Sequence, residues 1–170
     1  MNESRDNPGV IAPPPLIALA TLLLGLALDW LLPAFIVSGI LWLRTRLIIG
    51  AVLIAIGAAI AIVAFRSFRQ AGTNVEPWKP TLTLVTTGIF AWMRNPMYVS
   101  LMLLVAGIAI AFASDWTLVM LVPAALMLHF GVVKREERYL EAKFGETYRE
   151  YVRKVPRYGL PMIGNPSRPC

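Results

Sequence analysis

Four long runs without a formal charge leave this chain few folds to choose from. Leu47–Phe65 lies between Arg46 and Arg66, Asn95–Ser114 between Arg94 and Asp115, and Trp116–Val133 between Asp115 and Lys134; they hold 19, 20 and 18 residues. A helix rising ~1.5 Å per residue needs about 20 apolar residues to cross a ~30 Å hydrocarbon core. An earlier run covers about Leu16 to Leu32, with Asp29 near its end, and a further apolar stretch, Ala34–Leu43, follows Pro33. That stretch fits either an interfacial segment or a continuation of the first span. The chain is 57% hydrophobic, with a mean hydropathy of +0.63, whereas soluble domains are usually about 45–50% apolar. The expected fold is all-α: a single-domain, polytopic membrane protein with about four transmembrane helices.

Charge sets the expected orientation. With four spans, the N-terminus, the 66–94 loop and the C-terminal tail share one side, and that side carries 14 of the 16 Lys and Arg residues. The other side has only Arg44 and Arg46. The positive-inside rule therefore places both termini in the cytoplasm. For a bacterial chain the membrane is the cell inner membrane. The net charge of +6 follows from this topology and from attraction to anionic headgroups, so nucleic acid is not an expected partner. No cleaved leader is expected, because Glu3 and Asp6 interrupt any basic n-region. The single cysteine, Cys170, ends the chain; it has no internal disulfide partner and no prenylation box around it.

Residues 1–14 read as a flexible lead and 15–69 as the first two helices, joined by a connection containing Arg44 and Arg46. Small residues at four-residue spacing, Ala51/Ala55/Ala59 and Gly57/Ala61, then Gly107/Ala111 and Ala109/Ala113, predict close helix packing in lipid. The loop 66–94 is too long for a simple connection. Its Trp78, Leu82, Leu84, Phe90 and Trp92 predict that it folds over the cytoplasmic helix ends. A turn at Ser114-Asp115 makes the third and fourth helices an antiparallel hairpin, and Pro123 predicts a kink in the fourth. Beyond Val133 the chain becomes charged and helix-forming, with Leu140, Phe144 and Tyr148 in one apolar stripe. Gly145 marks a bend.

Few polar residues remain for chemistry. Arg94-Asn95-Pro96-Met97-Tyr98 opens the third helix, with Pro96 suited to the first turn and Asn95 to the cap. A headgroup-level Arg94 and an interfacial Tyr98 account for the rest. Alternatively, the same helix start holds a carboxylate or hydroxyl. Glu136-Glu137 leaves the fourth helix; the pair is either solvated or placed to hold a ribose hydroxyl or an ammonium group. His129 lies inside an apolar run, where an ionisable side chain is a functional candidate. One His and one Cys leave no metal site to expect. There is no GxGxxG motif, no P-loop and no Ser-His-Asp arrangement.

These residues resemble the isoprenylcysteine carboxyl methyltransferase family and, more loosely, the phospholipid methyltransferases. The matching stretches are TLVTTGIFAWMRNPMYVS, EERYLEAKFGETYREYVRKVP and GLP, together spanning about Leu82 to Pro161. The resemblance implies an integral membrane methyltransferase using S-adenosyl-L-methionine. Its non-Rossmann cofactor pocket would be formed by the cytoplasmic loop, the helix ends and the C-terminal amphipathic helix, within residues 70–170. Carried over by position, cofactor contacts fall at Leu82, Thr83, Leu84, Val85, Phe90, Asn95, Pro96, Met97, Tyr98 and Glu136. The family's histidine is Asn95 here, and one of its tyrosines is Phe90. The substrate-binding arginine of the eukaryotic enzymes falls at Val132, leaving Arg135 or His129 to substitute. The implied acceptor is lipophilic, either a prenylcysteine-like carboxylate or a lipid headgroup; O-methylation is favoured. An amine acceptor needs a base, with Glu137 or His129 as candidates.

A different class, a four-helix transporter or scaffold, also fits four spans and an intramembrane His; the long aromatic loop and the polar C-terminal helix fit it poorly. The topology is open to direct test. A reporter active only in the cytoplasm, fused after residue 170, should be active, whereas a fusion within Ala34–Leu43 should be silent. The opposite pattern inverts the orientation.

Overall fold

The computed structural model describes residues 6–159, so Arg5 and Cys170 lie outside the described residues. Every regular element among them is helical. Three helices are long and apolar enough to cross a membrane: α1 (Pro14–Leu31), then, after the short α2 (Ile36–Ile40), α3 (Leu43–Gln70), and a continuous helical stretch, Asp115–Phe144. That stretch comprises α5 (Asp115–Leu128), one π-helical turn (His129–Val133) and α6 (Lys134–Phe144). A fourth apolar helix, α4 (Pro96–Phe112), has 17 residues. The short α7 (Glu146–Lys154) completes the chain. Large apolar side chains such as Leu24, Ile56 and Val122 point outward, as a bilayer environment requires. The protein is a multi-pass, all-α membrane protein.

Small residues set the helix spacing, through the expected Gly57, Gly107 and Ala111 but not through the Ala51/Ala55/Ala59 stripe. Gly50, Gly57 and Ala64 are the buried positions of α3, while Ala51, Ala55 and Ala59 face outward. A Cβ on Gly50 would stand 2.6 Å from the Gly107 carbonyl oxygen, and one on Gly107 2.8 Å from that of Gly50. Both α3 stripes contain small residues, so spacing alone does not tell them apart; only the Gly50 stripe meets the glycine of α4. On the other side, Gly25 of α1 lies against the backbone of Thr117. Ile17, Tyr98, Ala124, Leu128, Val132 and Val133 fill the core between α1, α4 and α5.

At the hairpin end, polar groups replace long loops. Ala113 adopts a left-handed conformation, and Ser114 caps α5 by accepting the Thr117 N–H. Asp29, near the end of the first run, accepts the Ser114 hydroxyl and, at 3.1 Å, the Trp116 N–H. Asp115 accepts the Ile36 and Val37 N–H groups, both at 2.8 Å. These two bonds hold α2, Ile36–Ile40 within the Ala34–Leu43 stretch, as a separate short helix rather than an extension of α1.

Other expectations need correcting. Arg44 and Arg46 lie in the first turn of α3 rather than in a connection. Their long side chains can snorkel from a helix end. α5 stays helical through Pro123, and a π-helical turn follows at His129–Val133. The N-terminal lead is held from Asp6 onward. Ile11 donates its N–H to the Gly131 carbonyl (3.2 Å), Arg135 donates to the Gly9 carbonyl (2.8 Å), and Asp6 pairs with Lys143 (2.7 Å). Gly145, at φ 55°, separates α6 from α7, as expected. Gly107→Leu should destabilise the bundle by roughly 1–3 kcal/mol through overpacking, visible as a lower unfolding midpoint in detergent. Gly39→Leu, where an added Cβ meets nothing within 4 Å, should leave the midpoint unchanged.

Candidate active site

At the end of the bundle away from the α4–α5 hairpin, the loop after α3 is tied down by its own side chains. Thr73 Oγ1 accepts the N–H groups of Leu82 (2.9 Å) and Thr83 (3.3 Å), and Asn74 Nδ2 donates to the Pro80 carbonyl (2.8 Å). The Thr81 N–H donates to Tyr139 Oη on α6 (3.1 Å). Val85 and Phe90 pack with Ala64 at the end of α3, and the Phe68 and Phe90 rings meet edge-on at 4.9 Å. A 3-10 turn, Gly88–Ala91, then leads into α4.

The C-terminal helices close the opposite side. Tyr148, Tyr151 and Val155 cluster with Leu84, Leu140 and Phe144, which places the predicted apolar stripe against the loop. Tyr151 Oη donates to the Phe90 carbonyl at 2.6 Å. The segment after α7 pairs with the start of α4: the Arg94 N–H donates to the Pro156 carbonyl (3.0 Å) and the Asn95 N–H to that of Arg157 (3.2 Å). Asn95 Nδ2 donates to the same Arg157 oxygen (3.3 Å) and does not cap α4.

Between these walls lies a cleft of about 580 Å³, a volume that includes the open solvent at its mouth. Phe68, Leu84, Val85 and Phe90 supply apolar surface; Asn74, Thr83, Arg94, Asn95, Glu136 and Glu137 supply polar groups. Glu137 binds Arg94 Nη1 at 2.9 Å, and it accepts from Arg157 Nε at 2.8 Å and Nη2 at 2.7 Å. The hydrogen bond from Glu137 holds Arg157 above its ordinary range. Glu136 accepts from Tyr98 Oη at 2.7 Å, and its other oxygen has no hydrogen-bond partner among the described residues. Arg94 is only 9% exposed, and its buried Nε likewise lacks a partner among them. Burial pushes the Tyr148 hydroxyl up to about 12 and raises that of Tyr151 as well, so both are neutral at physiological pH.

The cleft brings together Thr83, Leu84, Val85, Phe90, Asn95, Glu136 and Glu137. Leu82 is exposed; Pro96 is buried at the start of α4; Met97 packs on the Val85–Phe90 cluster; Tyr98 is buried behind Glu136, not interfacial. Arg94, expected at headgroup level, is buried in the ion pair. Three candidates lie elsewhere. Val132 is fully buried in the helix core, Arg135 is exposed and bound to Gly9, and His129 Nδ1 shares a hydrogen bond with Tyr158 Oη at 2.7 Å. Sequence reasoning missed Asn74, Tyr148, Tyr151 and Arg157 as site residues. Arg157 stands between two matching stretches, the one ending at Pro156 and the one starting at Gly159, and that position was the signal for it.

Fold and cleft together define a multi-pass membrane protein with a polar-lined cleft at one end of its helix bundle. A phospholipid methyltransferase family model matches residues 45–147, and the chain belongs to that family. Protein-S-isoprenylcysteine O-methyltransferase from Xenopus laevis is 37% identical over 81 residues, covering 48% of this chain and 28% of that protein. The protein of the same name from Schizosaccharomyces pombe is 35% identical over 81 residues, covering 47% of this chain and 34% of that protein. The chain therefore matches about a third or less of the length of these relatives. No solved structure matches it.

The ion pairs predict a local weakness. Glu137→Gln removes the charge between two guanidinium groups and should cost roughly 1.5–3 kcal/mol. Amide exchange at Arg94 and Asn95, whose N–H groups bind the tail, should accelerate in this variant. Unchanged protection there would show that the tail is held without Glu137.

Proposed function

We propose that this chain is an S-adenosyl-L-methionine-dependent methyltransferase acting on a lipophilic acceptor, with O-methylation of a carboxylate favoured over N-methylation. The observation that carries the reading is the meeting in one cleft of Arg94, whose buried Nε has no partner among the described residues, and Glu136, held by Tyr98 through one oxygen. A methionyl carboxylate fits the first. An ammonium group or a ribose hydroxyl fits the second. The adenine ring and the sulfonium suit the aromatic wall of Phe68, Phe90 and Tyr148. The names of the two relatives support the same acceptor class.

When bound, the cofactor supplies an electrophilic methyl group on sulfur. Everything else falls to the chain's own residues, and methyl transfer to a carboxylate asks mainly for positioning and exclusion of water. Tyr98 orients Glu136 from behind. Arg94 is fixed in turn by Glu137, whose oxygens are engaged by Arg94 and Arg157, so its role is to hold the cleft rather than to accept a proton. The loop 73–85 and α7 cover the site from water. A carboxylate nucleophile needs no base, which suits a cleft without a histidine. The cofactor enters from the cytoplasm, the side that carries most of the basic residues, and the acceptor from the bilayer.

Calorimetry on the detergent-purified protein should detect S-adenosylhomocysteine. Glu136→Gln should weaken binding by about tenfold or more, the scale of a lost charge-assisted hydrogen bond. Tyr98→Phe should weaken it less. A folded protein that binds neither S-adenosylmethionine nor S-adenosylhomocysteine would sink the reading.

A further inference from the structure

The N-terminal lead runs along one face of the last long helix in a fixed register. Its contacts fall on Gly131, Arg135, Tyr139 and Lys143, four residues apart, so they share one helical stripe. The Ile11 N–H donates to the Gly131 carbonyl, Arg135 Nη1 donates to the Gly9 carbonyl, and Asp6 Oδ1 accepts from Tyr139 Oη and Lys143 Nζ, both at 2.7 Å. The lengths agree. From Ile11 back to Asp6 the chain reaches at most about 18 Å, and the rise from Gly131 to Lys143 is about 18 Å at ~1.5 Å per residue. The Ile11 side chain occupies the space that glycine leaves, since a Cβ on Gly131 would run into Ile11 Cδ1 and Cγ1. Val10 and Ala12 pack on the core cluster that contains Tyr98.

Tyr139 is where this strap meets the cleft. Its hydroxyl donates to Asp6 Oδ1 and accepts from the Thr81 N–H at 3.1 Å and from Lys143 Nζ at 3.0 Å. The one proton and both lone pairs of the phenol are therefore engaged. Thr81 belongs to the loop wall of the cleft, and Leu140, beside Tyr139, to the α6 wall. The Thr81–Tyr139 bond thus joins the two walls. The other side-chain hydrogen bonds described for the loop, from Leu82 and Thr83 to Thr73, from Asn74 to Pro80 and from Lys79 to Glu76, stay within it.

We propose that Tyr139 is a positioning residue, set by Asp6 of the N-terminal strap, which latches loop 73–85 over the cleft and so governs how fast cofactor enters and leaves. This deepens the methyltransferase reading and rests on it for the identity of the ligand; the latch itself exists without ligand. Asp6 is 56% exposed and Lys143 26%, so a latch made of their ion pair and one neutral hydrogen bond is weak enough to open. It closes the empty and the occupied cleft alike. Loosening it therefore speeds entry and exit together and leaves affinity in place. A residue that only shaped the binding wall would speed exit alone and weaken affinity.

The test has two arms on detergent-purified protein. Without ligand, hydrogen–deuterium exchange over residues 73–85 should be roughly threefold to tenfold faster in Asp6→Ala and in Tyr139→Phe, the scale of one hydrogen bond. The α4–α5 hairpin should keep its wild-type rate, as the sign of an intact fold. Asp6 touches no residue of the loop in its hydrogen bonds, so the effect of Asp6→Ala reports the strap. With S-adenosylhomocysteine, stopped-flow association and dissociation rates should both rise roughly threefold to tenfold in Tyr139→Phe, while the dissociation constant stays within about twofold. A loop that exchanges at the wild-type rate in Asp6→Ala, or affinity lost through faster dissociation alone in Tyr139→Phe, would overturn the proposal. Failure of S-adenosylhomocysteine to bind wild-type protein would remove the methyltransferase reading, and the exchange arm would then decide the latch by itself.

Discussion

Glu137 sits between Arg94 at the start of α4 and Arg157 beyond α7, and the cleft depends on that arrangement. Side-chain exposure is 9% for Arg94 and 15% for Glu137, so water screens the pair weakly. A guanidinium buried this far needs a carboxylate. The second guanidinium brings the tail with it, and the tail's carbonyls then take the N–H groups of Arg94 and Asn95. One acidic side chain thereby joins the helix that opens the site to the segment that closes it.

The fold was readable where lipid imposes strict rules. The long uncharged runs predicted helices, three helices proved long and apolar enough to cross a membrane while Asn95–Ser114 formed the 17-residue α4, and the short Ser114-Asp115 turn made a hairpin. The choice of packing face was not readable, because Ala51/Ala55/Ala59 and Gly50/Gly57/Ala64 are both small and differ only in which one meets a glycine across the interface. The polar ends were hidden for a related reason. Asp29 and Asp115 serve backbone N–H groups far away in sequence, and no local pattern announces such a partner.

The cleft was half legible. Short motifs pointed to Thr83, Leu84, Val85, Phe90, Asn95 and Glu136, which do share one space. Asn74, Tyr148 and Tyr151 reach that space only through tertiary folding of the loop and of α7. Arg94 and Tyr98 looked like headgroup residues because their sequence neighbours are interfacial; their burial follows from α6 and the tail covering them. His129, Val132 and Arg135 are close in sequence but diverge in space, since the π-helical turn rotates them onto different faces. Val132 enters the core, Arg135 reaches the N-terminal lead, and His129 pairs with Tyr158.

The central claim is that loop 73–85, the start of α4 and the α6–α7 unit form one ligand cleft. Hydrogen–deuterium exchange of the purified protein, with and without saturating S-adenosylhomocysteine, tests it most directly. The account predicts added protection confined to residues 73–85, 88–97 and 134–151, with the α4–α5 hairpin end unchanged. Protection at the hairpin end alone, or none anywhere in a folded and saturated sample, would contradict it.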